Sequence, residues 1–276
     1  MNSKKTKLST ILSYLAVIPL IILGVVSILA TGGGSSSSGG FVDPRPWAEE
    51  PFSEDVVLTS QTALRLDAIS GTIVVTGTPG AASISITGER RVQANTLAEA
   101  TTELAKLKVI VDDSSPTEVV VETVQPQISG GRNYIVNYTI TLPPDLDVNI
   151  VNIGDTTVRA IKADCTITGV GGRIQADAIE GNTSLTLITG DITAQVTVPP
   201  AGQIDIGVIT GSIDLQIPQT TSAQFDATVG IGSITVTNLV LTNETITPGS
   251  HTGTLGGGSG TISLNAGNGT IAVRGF

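Results

Sequence analysis

Residues 185–215 read LTLITGDITAQVTVPPAGQIDIGVITGSIDL, and the phrase Ile-Thr-Gly-x-Ile occurs in them twice. After each glycine an aliphatic residue alternates with a polar one, and alternate side chains of a strand point to opposite faces. Glycine permits a bend with φ above zero, which other residues rarely adopt. The stretch therefore predicts short strands with one buried face, joined by glycine turns.

The same unit recurs through the second half of the chain. Its first four glycines, Gly172, Gly190, Gly211 and Gly232, are spaced by 18, 21 and 21 residues. A strand precedes each unit, and such a period lets coils stack strand on strand. We therefore predict an all-β fold with a β-solenoid over residues 145–276; a β-sandwich of short strands is the alternative. Further copies begin at Gly71, Gly260 and Gly269.

Stacking makes a specific prediction about the isoleucine that follows each glycine. If the coils stack in chain order, one interior column contains Ile174, Ile192, Ile213 and Ile234, and Ile271 belongs to the last coil.

Residues 56–144 are predicted to form an N-terminal β-rich part that contains one short helix. Alternating runs indicate strands at 56–58, 63–68, 72–76, 83–87, 108–111, 118–122 and 134–142. The helix starts after Thr96, which can cap it together with Glu99 three residues later. Its apolar face is predicted to consist of Leu97, Ala100, Leu104 and Leu107.

The chain begins with a basic and then apolar leader. Residues 8–30 are 23 residues without a charge, preceded by Lys4, Lys5 and Lys7. About 20 apolar residues span a bilayer as a helix, and lysines stay on the cytoplasmic side. Residues 1–30 are thus predicted to be a retained transmembrane anchor or a cleaved signal peptide. Residues 31–55, rich in Gly, Ser and Pro, are predicted to be a linker.

The net charge and the single cysteine limit the possible functions. The formal net charge is −10, and the leader contains three of the 14 basic residues, so an even more acidic body follows. Such a body repels phosphate backbones, which argues against nucleic acid as a partner. The single cysteine, Cys165, lies in an alternating apolar run and is predicted to be a buried, inert thiol.

No catalytic, cofactor-binding or metal-binding residue is predicted. His251 is the only histidine and is expected in a surface turn, and one His with one Cys cannot form a zinc site. Asp191, Asp205 and Asp214 are the candidate acids of a polysaccharide-cleaving solenoid. They are separated by whole coils and lack aromatic neighbours for a sugar, so solvated surface acids are the favoured interpretation.

The repeated Thr-Gly-x-Ile phrase, the strand end at 141–143 and the glycine-rich ending at 256–273 resemble the bacterial "putative-adhesin" domain family. The resemblance extends from about Leu64 to Val273 and implies a β-helix-like extracytoplasmic domain. The matching positions are structural glycines and aliphatics, so it transfers no functional residue.

We therefore predict a non-catalytic, adhesin-like binding or structural module at the bacterial cell envelope. Its partners would be the membrane, through residues 8–30, and an unidentified envelope or surface component. The body is expected outside the cell membrane, or secreted if the leader is cleaved. The alternatives are an accessory protein of envelope-stress signalling and, less favoured, a polysaccharide-active solenoid enzyme.

Overall fold

The computed structural model describes residues 43–127 and 130–276, and most of these are β-structure. The predicted leader and residues 31–42 of the predicted linker lie outside this part. Within it, no helix has the length and apolar character needed to cross a membrane. The elements are β1 (Trp47–Val57), β2 (Ala63–Asp67), β3 (Ile73–Gly77), β4 (Ser83–Gln93), α1 (Leu97–Leu104), β5 (Lys108–Asp112), β6 (Glu118–Val124), β7 (Asn133–Leu142), β8 (Asp147–Asn152), β9 (Thr156–Ile161), β10 (Cys165–Gly169), β11 (Arg173–Ile179), β12 (Thr183–Thr189), β13 (Asp191–Val196), β14 (Gln203–Thr210), β15 (Ile213–Ile217), β16 (Ala223–Thr237), β17 (Leu241–Thr247), β18 (Ser250–Leu255) and β19 (Gly260–Gly275).

The strands pair in two parallel ladders. Ladder A runs in the order β6, β2, β8, β10, β12, β14, β19 and β16. Ladder B runs in the order β7, β3, β9, β11, β13, β15, β19 and β16. The two long strands, β16 and β19, contribute their first halves to ladder A and their second halves to ladder B. A coil is used below for two consecutive strands, or two halves of one long strand, of which the first lies in ladder A and the second in ladder B.

The predicted alternation is confirmed along both ladders. In ladder B, Ile174 pairs with Ile192, Ile192 with Ile213, and Ile213 with Ile271, and each of the four is 1% exposed. Their polar neighbours point outward, so one continuous core lies between the ladders. Because parallel strands in register place equivalent side chains next to one another, β-branched residues form stacked columns that exclude water.

The order of the coils differs from the chain order at both ends. The first coil, β2 and β3, lies between β6–β7 and β8–β9. At the other end, β19 lies between β14–β15 and β16. The prediction that Ile271 belongs to the last coil is therefore wrong: it lies between Ile213 and Ile234, and Ile234 is terminal. The antiparallel strands β17 and β18 reverse the chain after β16, which lets β19 enter the stack one place earlier.

One end of the stack is capped by antiparallel strands and by α1. Strand β4 pairs antiparallel with β7, β1 pairs with β4, and α1 packs against β1 and β4. Thr96 caps the helix as predicted, since its Oγ1 accepts a hydrogen bond from the Glu99 N–H at 3.2 Å. Ala100, Leu104 and Leu107 are buried. Leu97 is 57% exposed, contrary to its predicted place on the apolar face, because the buried face of α1 is formed by Ala100, Glu103 and Leu104.

The predicted linker ends earlier than residue 55. Strand β1 begins at Trp47 and pairs with β4 over its whole length. Two aromatic contacts attach it: the Trp47 ring lies 4.6 Å from the guanidinium carbon of Arg91, and Phe52 meets Tyr138 edge to face with centroids 5.6 Å apart. These contacts explain why a segment with three prolines in its neighbourhood is ordered as an edge strand.

Candidate functional site

The outer faces of both ladders carry short polar side chains. On ladder A the outward residues of neighbouring coils alternate with buried ones and follow one another in register. One such row consists of Asn149, Thr166, Ser184, Asp205, Ser263 and Asp226. The corresponding row on ladder B includes Thr157, Gln175, Thr193 and Asp214. Hydroxyl, amide and carboxylate groups therefore form the exposed surface of the stack, and each can accept or donate hydrogen bonds.

Two open hollows interrupt these faces. The hollow on ladder B, here called hollow B, has a volume of about 400 Å³ and spans the three strands β11, β13 and β15. Its lining residues are Arg173, Gln175, Asp191, Ile192, Thr193, Ser212 and Asp214. A smaller one on ladder A, hollow A, has a volume of about 220 Å³ and spans β10, β12 and β14. Its lining residues are Asp164, Thr166, Asn182, Thr183, Ser184, Gln203 and Asp205.

Hollow B follows from the lengths of the outward side chains in three successive coils. Arg173 and Gln175 extend from β11, whereas the middle coil presents the shorter Thr193 at the same position as Gln175. Ser212 and Asp214, also short, follow in the next coil. A step from long to short side chains at equivalent positions leaves the concavity between them.

Carboxylates at the glycine turns hold the walls of hollow B. Asp191 Oδ1 accepts a hydrogen bond from the backbone N–H of Ser212 at 3.0 Å. In the coil before, Asp155 Oδ1 accepts from the N–H of Arg173 at 2.8 Å. Ser212 is also hydrogen-bonded to the Thr270 hydroxyl at 3.0 Å. Asp191 is therefore a turn residue that ties its coil to the next one.

Asp214 lies at the rim of the same hollow with one oxygen partnered. Its Oδ2 is 3.4 Å from Nη2 of Arg274, and its side chain is 35% exposed. Its Oδ1 is buried and has no hydrogen-bond partner among the described residues.

The three acids selected from the sequence do not form one group. Asp191 and Asp214 lie in adjacent coils and line hollow B together, whereas Asp205 is on the other ladder and lines hollow A. The sequence spacing identified Asp191 and Asp214 but did not predict that they share a hollow. Arg173, Gln175 and Ser212 were missed as site residues because the repeat pattern marks them only as outward positions.

His251 lies in β18 and is buried, so its predicted place in a surface turn is wrong. Its Nε2 is 2.7 Å from Oε1 of Glu244, and its ring meets Phe225 edge to face at 5.9 Å between centroids. His251 is buried because β18 lies between β16 and β17. The Gly-, Ser- and Thr-rich sequence around His251 did not indicate this burial. The contacts stabilise the end of ladder A.

Cys165 is buried as predicted, and burial raises the pKa of its thiol to about 12. A thiol with so high a pKa remains protonated near neutral pH and is a poor nucleophile. In the described part of the chain, no three or more His, Cys, Asp or Glu side chains are grouped as metal ligands.

The described residues define a class of protein: an all-β protein with two parallel strand ladders whose outer surfaces carry hydrogen-bonding groups. No family model matches the chain, and no curated protein matches it. Solved structures do match. A "putative cell adhesion protein" from Clostridium sporogenes is 13% identical, covers 83% of this chain and 100% of its own, and has a TM-score of 0.46.

A "putative adhesin" from Bacteroides fragilis is 15% identical, with 82% of this chain and 97% of its own covered and a TM-score of 0.34. Another from Parabacteroides merdae is 10% identical, with 81% and 96% covered and a TM-score of 0.28. The names of these bacterial proteins agree with the resemblance of the repeated sequence phrase to the adhesin family. At such identities and scores the likeness transfers no site, ligand or activity to this chain.

Proposed function

We propose that this protein is a non-catalytic binding module that is displayed outside a bacterial cell membrane and attaches to an envelope or surface component. We also propose that its two ladders are the faces of a β-solenoid. The in-register parallel pairing of strands one coil apart supports this architecture.

The observation that carries the proposal is hollow B on a broad polar face. It combines a guanidinium from Arg173, an amide from Gln175, hydroxyls from Thr193 and Ser212, and the partly exposed carboxylate of Asp214. These groups donate and accept hydrogen bonds over three coils, which suits an extended, polar ligand bound through many weak contacts. Each coil adds similar groups beside the hollow, so contact can continue along the face.

The positions of the acids support binding rather than hydrolysis. A glycosidase needs one carboxylic acid to protonate the leaving group and a second carboxylate free to act on the sugar or on water. Here Asp191 accepts a backbone hydrogen bond from Ser212, and Asp214 faces Arg274. Both carboxylates already have partners within the stack.

The proposed location depends on residues 1–30. With the lysines inside and residues 8–30 in the bilayer, the body would extend outward on the linker. The three lysines of the leader all precede residues 8–30, which is the charge distribution that this orientation requires.

The test uses spheroplasts that carry the full chain, with purified bacterial cell walls as the immobilised probe. We expect retention of these spheroplasts, and we expect added protease to remove both the body and the retention. The double variant Arg173→Ala/Gln175→Ala should reduce retention about tenfold, because it removes two of the ligating groups of hollow B.

Arg159→Ala/Gln195→Ala is the matched control, since it removes the same two residue types from ladder B outside hollow B. Equal retention of the two double variants, or retention by cells that lack the chain, contradicts the proposed site. A body that resists protease until the cells are lysed contradicts the proposed location.

A further inference from the structure

The two ladders have four sheet edges in the described residues, and three of them carry features that prevent edge-to-edge pairing. The β1 edge contains Pro51 and four acids, and the β5 edge has Lys108 and Asp112 at its ends. The β17 edge contains Glu244 and a break in register between Thr242 and Thr245. Charges, proline and bulges are the usual means by which proteins block an exposed edge.

The fourth edge, residues 233–237 of β16, carries none of these features. Its sequence is SITVT, and the surrounding residues 227–243 contain no charge and no proline. It pairs in unbroken register with β19 on one side, and no strand of the described residues pairs with its other side. Backbone N–H and C=O groups on that side are free to bond to another strand.

The core is also incompletely covered at this edge. Ile234 and Val236 occupy the inward positions of Ile271 and Val273 but are only partly buried, whereas Ile271 is 1% and Val273 0% exposed. Nearby in the chain, Ile231 is 71% and Val240 is 83% exposed. The last coil of a stack needs a cover that the inner coils receive from their neighbours.

We propose that this edge pairs with the same edge of a second copy of the chain. The two copies of residues 233–237 would run antiparallel about a two-fold axis at Thr235, so that each edge serves as the other's next strand. This register places Ile234 opposite Val236, Ser233 opposite Thr237, and Thr235 opposite itself. Aliphatic side chains then meet on the core side and hydroxyls on the outer side, which continues the pattern of ladder B.

Charge supports a second copy meeting at this end rather than elsewhere. The chain has a net charge of −10, so two copies repel one another over most of their surface. The uncharged run 227–243 is where two acidic bodies approach with least repulsion. Five paired residues form a small interface, so we expect a weak and reversible dimer.

Cysteine cross-linking of the full chain in isolated membranes tests this pairing. Directly opposed residues in antiparallel strands have Cα atoms about 4.5–5.5 Å apart, within the range that a disulfide spans. Thr235→Cys should therefore give a disulfide-linked dimer after mild oxidation, seen at twice the chain mass on a non-reducing gel. The native Cys165 is buried and adds no background.

Thr193→Cys is the control, because Thr193 has the same outward position in the inner strand β13 and should give at least about tenfold less dimer. Ser233→Cys/Thr237→Cys should also cross-link, while Ser233→Cys alone should not. Adding Thr235→Lys to the double variant should reduce its dimer about tenfold, since two like charges then face each other at the axis. Equal cross-linking at positions 235 and 193, or a product whose mass is not twice that of the chain, overturns the proposal.

Discussion

Glycine is required at the turns between the ladders for two separate reasons. Gly190 has φ +132° and Gly211 has φ +142°, a backbone conformation that residues with a Cβ rarely adopt. In addition, a Cβ on Gly211 would overlap the carbonyl oxygen of Gly190 in the coil before, and one on Gly190 would overlap that of Gly172. The turns of successive coils therefore pack backbone against backbone.

Gly211→Ala should lower the free energy of unfolding by about 2–4 kcal/mol, because it combines backbone strain with a steric clash against the backbone of the preceding coil. Gly207→Ala is the matched control: a Cβ at Gly207 meets nothing within 4 Å. It should change stability by about 0.5 kcal/mol or less. The urea denaturation midpoints of the two variants test this difference. Equal midpoints contradict the proposed role of the glycine turns.

At the scale of elements, α1 is held on the capped end by a buried carboxylate. Glu103 accepts hydrogen bonds from the Tyr134 hydroxyl at 2.9 Å and from Lys106 Nζ at 2.8 Å. These bonds, that of Lys106 first, lower the pKa of Glu103, while burial raises the pKa of Tyr134 to about 12. The ionised carboxylate is thus the form that the folded helix stabilises.

The lowered pKa of Glu103 makes the attachment of α1 sensitive to acid. Its contribution to stability is complete above the unfolded-state pKa of about 4.3 and is lost as the pH falls through the lower folded-state value. Glu103→Gln should therefore be less stable than the unchanged protein by about 1–2 kcal/mol at pH 7, and the difference should vanish near pH 2. Glu54→Gln, on the exposed side of β1, is the control; a Glu103→Gln deficit that persists unchanged near pH 2 contradicts this role.

At the scale of the whole molecule, the order of the coils in space differs from their order in the chain at both ends of the stack. The coil that comes first in the chain and the strand that comes last each lie one place inside the terminal coil. Strands β2, β3 and β19 are thereby held between neighbours on two sides. The contacts that achieve this join residues far apart in the sequence, as for β2 with β8 and β14 with β19.

The position of its coil in the stack determines how much each isoleucine of the ladder B column contributes to stability. Ile213→Ala and Ile271→Ala should each cost about 2–5 kcal/mol, because both side chains are buried between two neighbouring coils. Ile234→Ala should cost clearly less, since Ile234 is terminal and partly exposed. Thr193→Ala, an outward control, should cost about 0.5 kcal/mol or less.

The denaturation midpoints of these variants test the stacking order directly. If the coils followed the chain order, Ile234 would be an inner residue and Ile271 a terminal one, and the ranking of their effects would reverse.

The sequence by itself determined the features that depend on neighbouring residues. Alternation specified the buried face of each strand, the glycines located the turns, and Thr96 with Glu99 located the start of α1. The same local pattern predicted the burial of Cys165. These features follow from backbone geometry and side-chain alternation within a few residues, so the local sequence was enough to predict them.

Only the tertiary structure decided which coils are neighbours. Most coils present similar small or aliphatic inward residues, often after a glycine, so many of them could pair in register with one another and the pattern cannot rank the partners. The reversal by β17 and β18 brings β19 between β15 and β16, and this buries Ile271 and leaves residues 233–237 as an edge. The exposure of Leu97, the burial of His251 and the joining of Asp191 with Asp214 in hollow B likewise follow from contacts between elements, and such contacts have no local signal in the sequence.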